Sequence, residues 1–233
     1  MKPSPAYHAA LEASKHVHKG KQFTGKFLRP HAPFIKEIID RLGCKTVLDY
    51  GCGKGQQYEW VIPSTGQTIE QFWGATVTKY DPAYPPFAKE PEGKFDLVIC
   101  TQVLGAIPVS DIPWVVDRLY ALADKAIYVS ERLGDARKVL GDNSLRPTEW
   151  DEFEWTDALF REEFAHDIEV TLALRAIVDG EKITTHHRPE HVYTYPTVDD
   201  DHYDSGSDYD WSWVDVEWPP GIRAMNHKWT PHA

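Results

Sequence analysis

Residues 45–55, Lys-Thr-Val-Leu-Asp-Tyr-Gly-Cys-Gly-Lys-Gly, constrain this chain more than any other stretch. The β-branched and apolar run Thr46-Val47-Leu48 stops at Asp49-Tyr50, and glycines follow at alternate positions, Gly51, Gly53 and Gly55. Such a run reads as a buried strand, and the glycines as a loop at its carboxyl end. Without Cβ atoms that loop takes positive φ and lets a ligand lie against the backbone. A helix is predicted directly after it, over about residues 56–62. Strand, glycine loop and helix together form a nucleotide cradle in open α/β sheets. A dinucleotide fingerprint would need glycine or alanine at the sixth position, where this chain has Gln56.

Two further segments extend the pattern. Ala75–Asp81 alternates as a strand and ends in an acid followed by Pro82. An acid at the tip of a second strand beside such a loop bonds ribose hydroxyls, because one carboxylate accepts two hydrogen bonds from a vicinal diol. The bland reading of Asp81-Pro82 is a turn opener. Phe95–Cys100 then reads as a third buried strand, with Thr101, Gln102 and Val103 leaving its carboxyl end.

The acid and short glycine loop resemble motif I of the class I S-adenosylmethionine (SAM)-dependent methyltransferases, and residues 93–108 look like motif IV of that family. The resemblance covers roughly residues 20–195. It implies SAM as cofactor, with Gly51, Cys52 and Gly53 at its methionine part, Asp81 at its ribose, Thr101 and Gln102 along its edge, Phe23 closing over it, and Asp49 and Pro82 also in the cofactor site. The motif IV loop also faces the methyl acceptor in the family. Many relatives carry Glu-His where this chain has Gly105-Ala106, so any role of that histidine is absent or moved.

The expected fold is an α/β three-layer sandwich. Its sheet is mostly parallel and of the seven-stranded type, or one strand short, with a terminal antiparallel β-hairpin. Pro33 starts a helix with Ile35, Ile38, Ile39 and Leu42 at helical spacing and Gly43 at its end. A short helix is expected at Ile69–Trp73. The proline-rich segment Pro82–Gly93 is too short for the usual helix and third strand of the family. Ser110 or Asp111 caps a helix through Leu122, Ala126–Ser130 is a fourth strand, and Thr148–Phe164 is a tryptophan-rich helix. Ile168–Val178 and Lys182–Arg188 flank Asp179-Gly180, a hairpin signal. The chain divides into a lid segment (1–30, helical around Ala9–Lys15), the cofactor-binding domain (31–196) and an acidic, Trp-rich tail (197–233).

Charge narrows the partners. The net charge is −11, and residues 197–218 hold eight acids with no Lys or Arg, whereas residues 1–30 hold six basic residues and one acid. A polyanion is repelled by such a tail, so duplex nucleic acid is an unsuitable partner and a small-molecule acceptor is expected. No apolar run approaches a membrane span, and no secretory signal opens the chain. Cys44, Cys52 and Cys100 lack metal spacing and read as buried thiols in a reducing, cytosolic compartment. A calcium-loop reading of residues 201–212 fails, since Tyr203 and Ser205 occupy ligand positions and the twelfth residue is Ser212. No metal is expected.

A methyl acceptor bearing a proton benefits from a base, and histidine suits that task. His16, His18, His186 and His187 are the candidates, with His18 and His186 preferred. His186 and His187 point to opposite faces of their strand, so at most one faces a cleft. Arg146 and Trp150, after the fourth strand, are positioned for an anionic or planar acceptor, or for packing at a helix start. Amino-methylating DNA enzymes use an Asp/Asn-Pro-Pro-aromatic loop where this chain has Thr101-Gln102-Val103, and cytosine-C5 enzymes use a Pro-Cys nucleophile where Cys100 follows Ile99. The expected activity is methyl transfer to oxygen or nitrogen of a small molecule. The alternatives are a nucleotide or nucleic-acid methyltransferase, a class also carried by bacteriophages, and a non-catalytic SAM-binding protein.

Overall fold

The computed structural model describes residues 2–20, 23–133, 148, 150–160, 168–178, 181–188 and 191–196. In chain order the elements are α1 (Pro5–Val17), α2 (Ala32–Leu42), β1 (Thr46–Tyr50), β2 (Val61–Ile62), β3 (Gln67–Thr68), α3 (Ile69–Trp73), β4 (Thr76–Tyr80), β5 (Phe95–Thr101), α4 (Ile112–Leu122), β6 (Ala123–Arg132), α5 (Glu152–Phe160), β7 (Glu169–Val178), β8 (Glu181–Arg188) and β9 (His191–Pro196). Seven strands form the main sheet in the order β4-β1-β5-β6-β7-β8-β9. The first five run parallel; β8 and β9 are antiparallel additions. The mixed, mostly parallel α/β architecture is the expected one.

Strand alternation sorts side chains into two cores. Leu48, Val98, Ile127 and Leu172 pack on one face with α4 and α5 and with Tyr7 of α1. Val47, Leu97, Ile99 and Tyr128 pack on the other with α2 and α3. Burying each such aliphatic side chain contributes about 1.5–3 kcal/mol. Helix α2 buries Ile35, Ile38 and Ile39 and stops where Gly43 enters the left-handed region at φ 62°. The Trp73 indole donates to the Ala32 carbonyl at 2.8 Å, tying α3 to the start of α2.

Several details depart from expectation. The helix over 56–62 is a single 3₁₀ turn, Gln56–Tyr58, followed by the β2–β3 ribbon. Gln57 and Tyr58 both hydrogen-bond the same oxygen of Asp49, whereas consecutive side chains of an α-helix diverge by about 100°. The tryptophan-rich helix is shorter, Glu152–Phe160. Strand β6 continues past the expected end at Ser130 to Arg132, which pairs with Arg175 of β7. Between β4 and β5 there is only a 3₁₀ turn, Pro85–Phe87, so β4 is a sheet edge. The sheet still reaches seven strands because β9, not expected from the sequence, adds at the opposite edge. The hairpin lies where it was expected, with Val178 opposite Glu181; Asp179-Gly180 and the tail 197–233 lie outside the described residues.

The head is docked on the domain. Asp111 is the cap residue of α4, but its carboxylate makes no bond to that helix. It accepts instead from the Ser4 backbone N–H and the Ser4 hydroxyl, each at 2.7 Å. Tyr7 packs edge-on against Trp114, ring centroids 5.1 Å apart. These contacts dock α1 against α4 and bring His18 to Asp81 at the tip of β4 and Phe23 to the glycine loop.

Candidate active site

The glycine loop is held from both sides by backbone. The N–H groups of Gly51 and Cys52 both donate to the Tyr80 carbonyl, at 2.7 and 3.0 Å, locking the end of β1 to the end of β4. Gly53 has φ 59°, and a Cβ there would lie 2.4 Å from the Phe23 carbonyl oxygen. That carbonyl accepts the Lys54 N–H at 2.8 Å, while the Lys54 ammonium reaches the Gly20 carbonyl. Phe23 is itself left-handed, φ 55°. A non-glycine residue persists there only where its surroundings over-determine it, and the Lys54 contact is part of that restraint.

Beneath the loop lies Asp49, 1 % exposed. Its Oδ2 accepts from the Gln57 amide at 3.0 Å and the Tyr58 hydroxyl at 2.8 Å, and Oδ1 has no hydrogen-bond partner among the described residues. Burial pushes its carboxyl up to about 7 against the lowering effect of those two bonds. Asp49 therefore braces the loop from below.

Asp81 stands at the tip of β4. Its Oδ2 accepts the Gly53 N–H at 2.9 Å and its Oδ1 the Ala83 N–H at 2.8 Å. A carboxylate has about four lone-pair sites, so two remain for a diol. His18 Nε2 lies 3.6 Å from Asp81 Oδ2, and His18 Nδ1 is 2.9 Å from the Ser14 carbonyl. The His18 ring is flanked by Phe23, with centroids 4.9 Å apart, and by Tyr84 at 5.6 Å. Burial alone would lower the His18 pKa, but the Asp81 carboxylate outweighs it and the pKa is raised. Pro82 is half-buried beside Asp81.

Thr101 closes β5, and Gln102 turns the chain in the left-handed region at φ 59°. The Gln102 N–H donates to the Ser130 carbonyl at 2.8 Å. The buried Glu131 carboxylate accepts the Leu104 N–H at 2.7 Å and pins the loop that follows. A Cβ on Gly51 would lie 2.3 Å from Val103 Cγ2, so this loop and the glycine loop pack as one surface. Asp49, Gly51, Cys52, Gly53, Asp81, Pro82, Thr101, Gln102, Phe23 and His18 thus gather at or just beneath the carboxyl ends of β1, β4 and β5.

The remaining sequence candidates lie elsewhere. His186 is in the core, its Nε2 3.0 Å from the Tyr128 hydroxyl and its ring edge-on to Phe34. His187 is also buried, its Nδ1 3.7 Å from Glu152. Trp150 is half-buried and packs against Trp155, with centroids 4.9 Å apart. Arg146 lies outside the described residues. Sequence reasoning missed Glu131, whose role depends on β6 running past Ser130, and His31, whose Nδ1 is 2.8 Å from the Tyr128 hydroxyl. Among the described residues, no helix is long and apolar enough to cross a membrane.

The residues present fit an adenosyl cofactor: glycines occupy positions that a Cβ would fill, and Asp81 keeps acceptor capacity after its two backbone bonds. No curated protein matches the chain. A family profile described as a methyltransferase domain matches residues 21–163, well over half of it and spanning the glycine loop, Asp81, Thr101 and Gln102. The chain belongs to this methyltransferase family, of the class I SAM-dependent kind.

Proposed function

We propose that the protein transfers a methyl group from SAM to an oxygen or nitrogen of a small-molecule acceptor. The observation that carries this reading is the convergence of the Gly51–Gly53 backbone, the Asp81 carboxylate and the Thr101–Gln102 turn along one edge of the sheet. Gly51, Cys52 and Gly53 line the methionine part with backbone, Asp81 takes the ribose diol, and Thr101 and Gln102 edge the reacting end. Bound SAM supplies an activated methyl on a sulfonium with a neutral thioether as leaving group.

What the chain contributes is alignment, which is worth roughly 7–11 kcal/mol when the reacting atoms are held in line. The Tyr80 carbonyl fixes the glycine loop and Glu131 fixes the loop after β5, so both walls are set before anything binds. His18 and Phe23 lie directly against Asp81 and Gly53. The test is transfer of label from methyl-labelled SAM into the small-molecule fraction of a cell extract, alongside calorimetry with S-adenosylhomocysteine. Binding with label in a small-molecule fraction is expected. Binding without transfer to any fraction would make the chain a cofactor-binding protein, and absence of binding would remove the reading altogether.

A further inference from the structure

We propose that His31 is the side chain that takes the acceptor's proton, with the Ser130 hydroxyl holding the same acceptor beside it. This rests on the methyl-transfer reading above. The cofactor edge ends at Thr101, and Ser130 is its register partner on the neighbouring strand β6. An acceptor approaching the methyl group from beyond Thr101 therefore lies over the carboxyl end of β6. Ser130 Oγ, and Nε2 of His31, which is bonded to Tyr128 on the same strand, are buried and have no hydrogen-bond partner among the described residues. Leaving a buried polar atom without a partner is unfavourable, and a ligand that bonds both atoms removes that cost.

His31 is oriented from behind. Its Nδ1 is 2.8 Å from the Tyr128 hydroxyl, which is 3.0 Å from His186 Nε2. Tyr128 precedes Ser130 by two residues, so both share one face of β6. A single direction of bonds leaves a usable base: His31 Nδ1–H donates to the Tyr128 oxygen, and the Tyr128 hydroxyl donates to His186 Nε2. His31 Nε2 then carries a lone pair. The groups acting on His31 are Tyr128 and Arg132 from β6, Arg175 from β7 and His186 from β8. Burial, and then the charge of Arg175, hold its pKa well below the ordinary histidine value, so the ring is neutral between turnovers.

During transfer, the acceptor's oxygen or nitrogen bonds the methyl carbon with its own lone pair, and the carbon–sulfur electron pair stays with sulfur. The acceptor's proton passes to His31 Nε2. The resulting imidazolium sits among Arg132 and Arg175, which drive its proton off to solvent once the product leaves. His186, preferred from sequence, takes a positioning role behind Tyr128.

Two measurements on the full chain test this. Nitrogen-15 NMR of the histidine rings, with the His31 signals assigned by their loss in His31→Gln, is expected to show a neutral ring protonated at Nδ1. A ring protonated at Nε2, or an imidazolium at neutral pH, would overturn the assignment. Should His31→Gln not fold, the perturbation of the same signals by Tyr128→Phe supplies the assignment. In the labelled-SAM transfer assay, His31→Gln is expected to lower the rate by about 10²-fold or more while S-adenosylhomocysteine affinity changes less than about twofold. A retained rate overturns the His31 role alone, and so does a parallel loss of cofactor affinity, which would place His31 in the cofactor site. If the wild-type chain binds the cofactor but labels nothing, the methyl-transfer reading fails and takes this role with it.

Discussion

The two halves of the cleft are built by opposite means. On the side of β1, β4 and β5 the surface is backbone: glycine N–H groups, the Tyr80 carbonyl and one carboxylate that takes two further N–H bonds. On the side of β6, on our reading, it is the side chains of His31 and Ser130, with Tyr128 and then His186 bonded behind His31 from segments up to 155 positions apart in the chain. A backbone surface suits a cofactor shared by many enzymes, because it accepts little variation. A side-chain surface suits an acceptor that differs from one enzyme to the next. Substitutions should therefore separate: changes in the first half lower cofactor affinity, and changes in the second lower transfer.

The largest effect is expected at Gly53. Gly53→Ala puts a Cβ 2.4 Å from a backbone oxygen that belongs to the lid. No side-chain rotation relieves that contact, so the Phe23–Lys54 bond must open. Loss of about 2–4 kcal/mol of S-adenosylhomocysteine affinity is expected by calorimetry. A near-wild-type affinity would mean that the lid is not part of the cofactor half. Asp81→Ala comes next, with about 1–3 kcal/mol of weaker binding, the range for stranding polar partners. It strands the Gly53 and Ala83 N–H groups and, on our reading, the ribose diol. Unchanged affinity refutes the ribose assignment.

Asp49 provides a test from below the loop. Burial raises its carboxyl to about 7 in the folded state, well above the ordinary carboxylate range, so the fold prefers the protonated acid. The associated stability is fully present below pH 4 and is lost as pH rises to about 7. Asp49→Asn should flatten the dependence of urea-unfolding stability on pH between about 4 and 7, by an amount of order 1–3 kcal/mol. An unchanged slope would show that another group carries it.

The same contrast explains what could be read in the chain. Gly51 and Gly53 were legible because a strand end that must take positive φ leaves a short, contiguous signature, and Asp81 because it ends an alternating run. The hairpin was legible for a similar reason, since Asp179-Gly180 sits between two alternating runs. His31 was not, because nothing in the sequence marks which of 11 histidines meets Tyr128, 97 residues away. Nor was the 3₁₀ turn after the loop, because Gln57 and Tyr58 are drawn off helical spacing by a carboxylate eight and nine residues earlier. Strand β9 was not expected because no hairpin signal like Asp179-Gly180 separates it from β8, on which it pairs back.

The smallest expected effect lies where the lid meets the cofactor half. His18 has a raised pKa because the Asp81 carboxylate, 3.6 Å away, outweighs the cost of burying the imidazolium. Lys54, on the glycine loop, works against that charge, and Tyr84 flanks the ring without charge of its own. A raised folded-state pKa means that this contact stabilises the fold fully below about pH 6.5, the ordinary histidine value, and that the contribution fades as pH rises through the higher folded value. His18→Gln should therefore cost about 1 kcal/mol at pH 5–6 and less at pH 8.5, read as a shift in thermal midpoint at the two pH values. If the ribose diol takes the Asp81 oxygen nearest His18, saturating S-adenosylhomocysteine should also abolish this pH-dependent difference between variant and wild type. A difference that survives saturation would place the diol on the other oxygen and leave the His18 contact intact in the bound state.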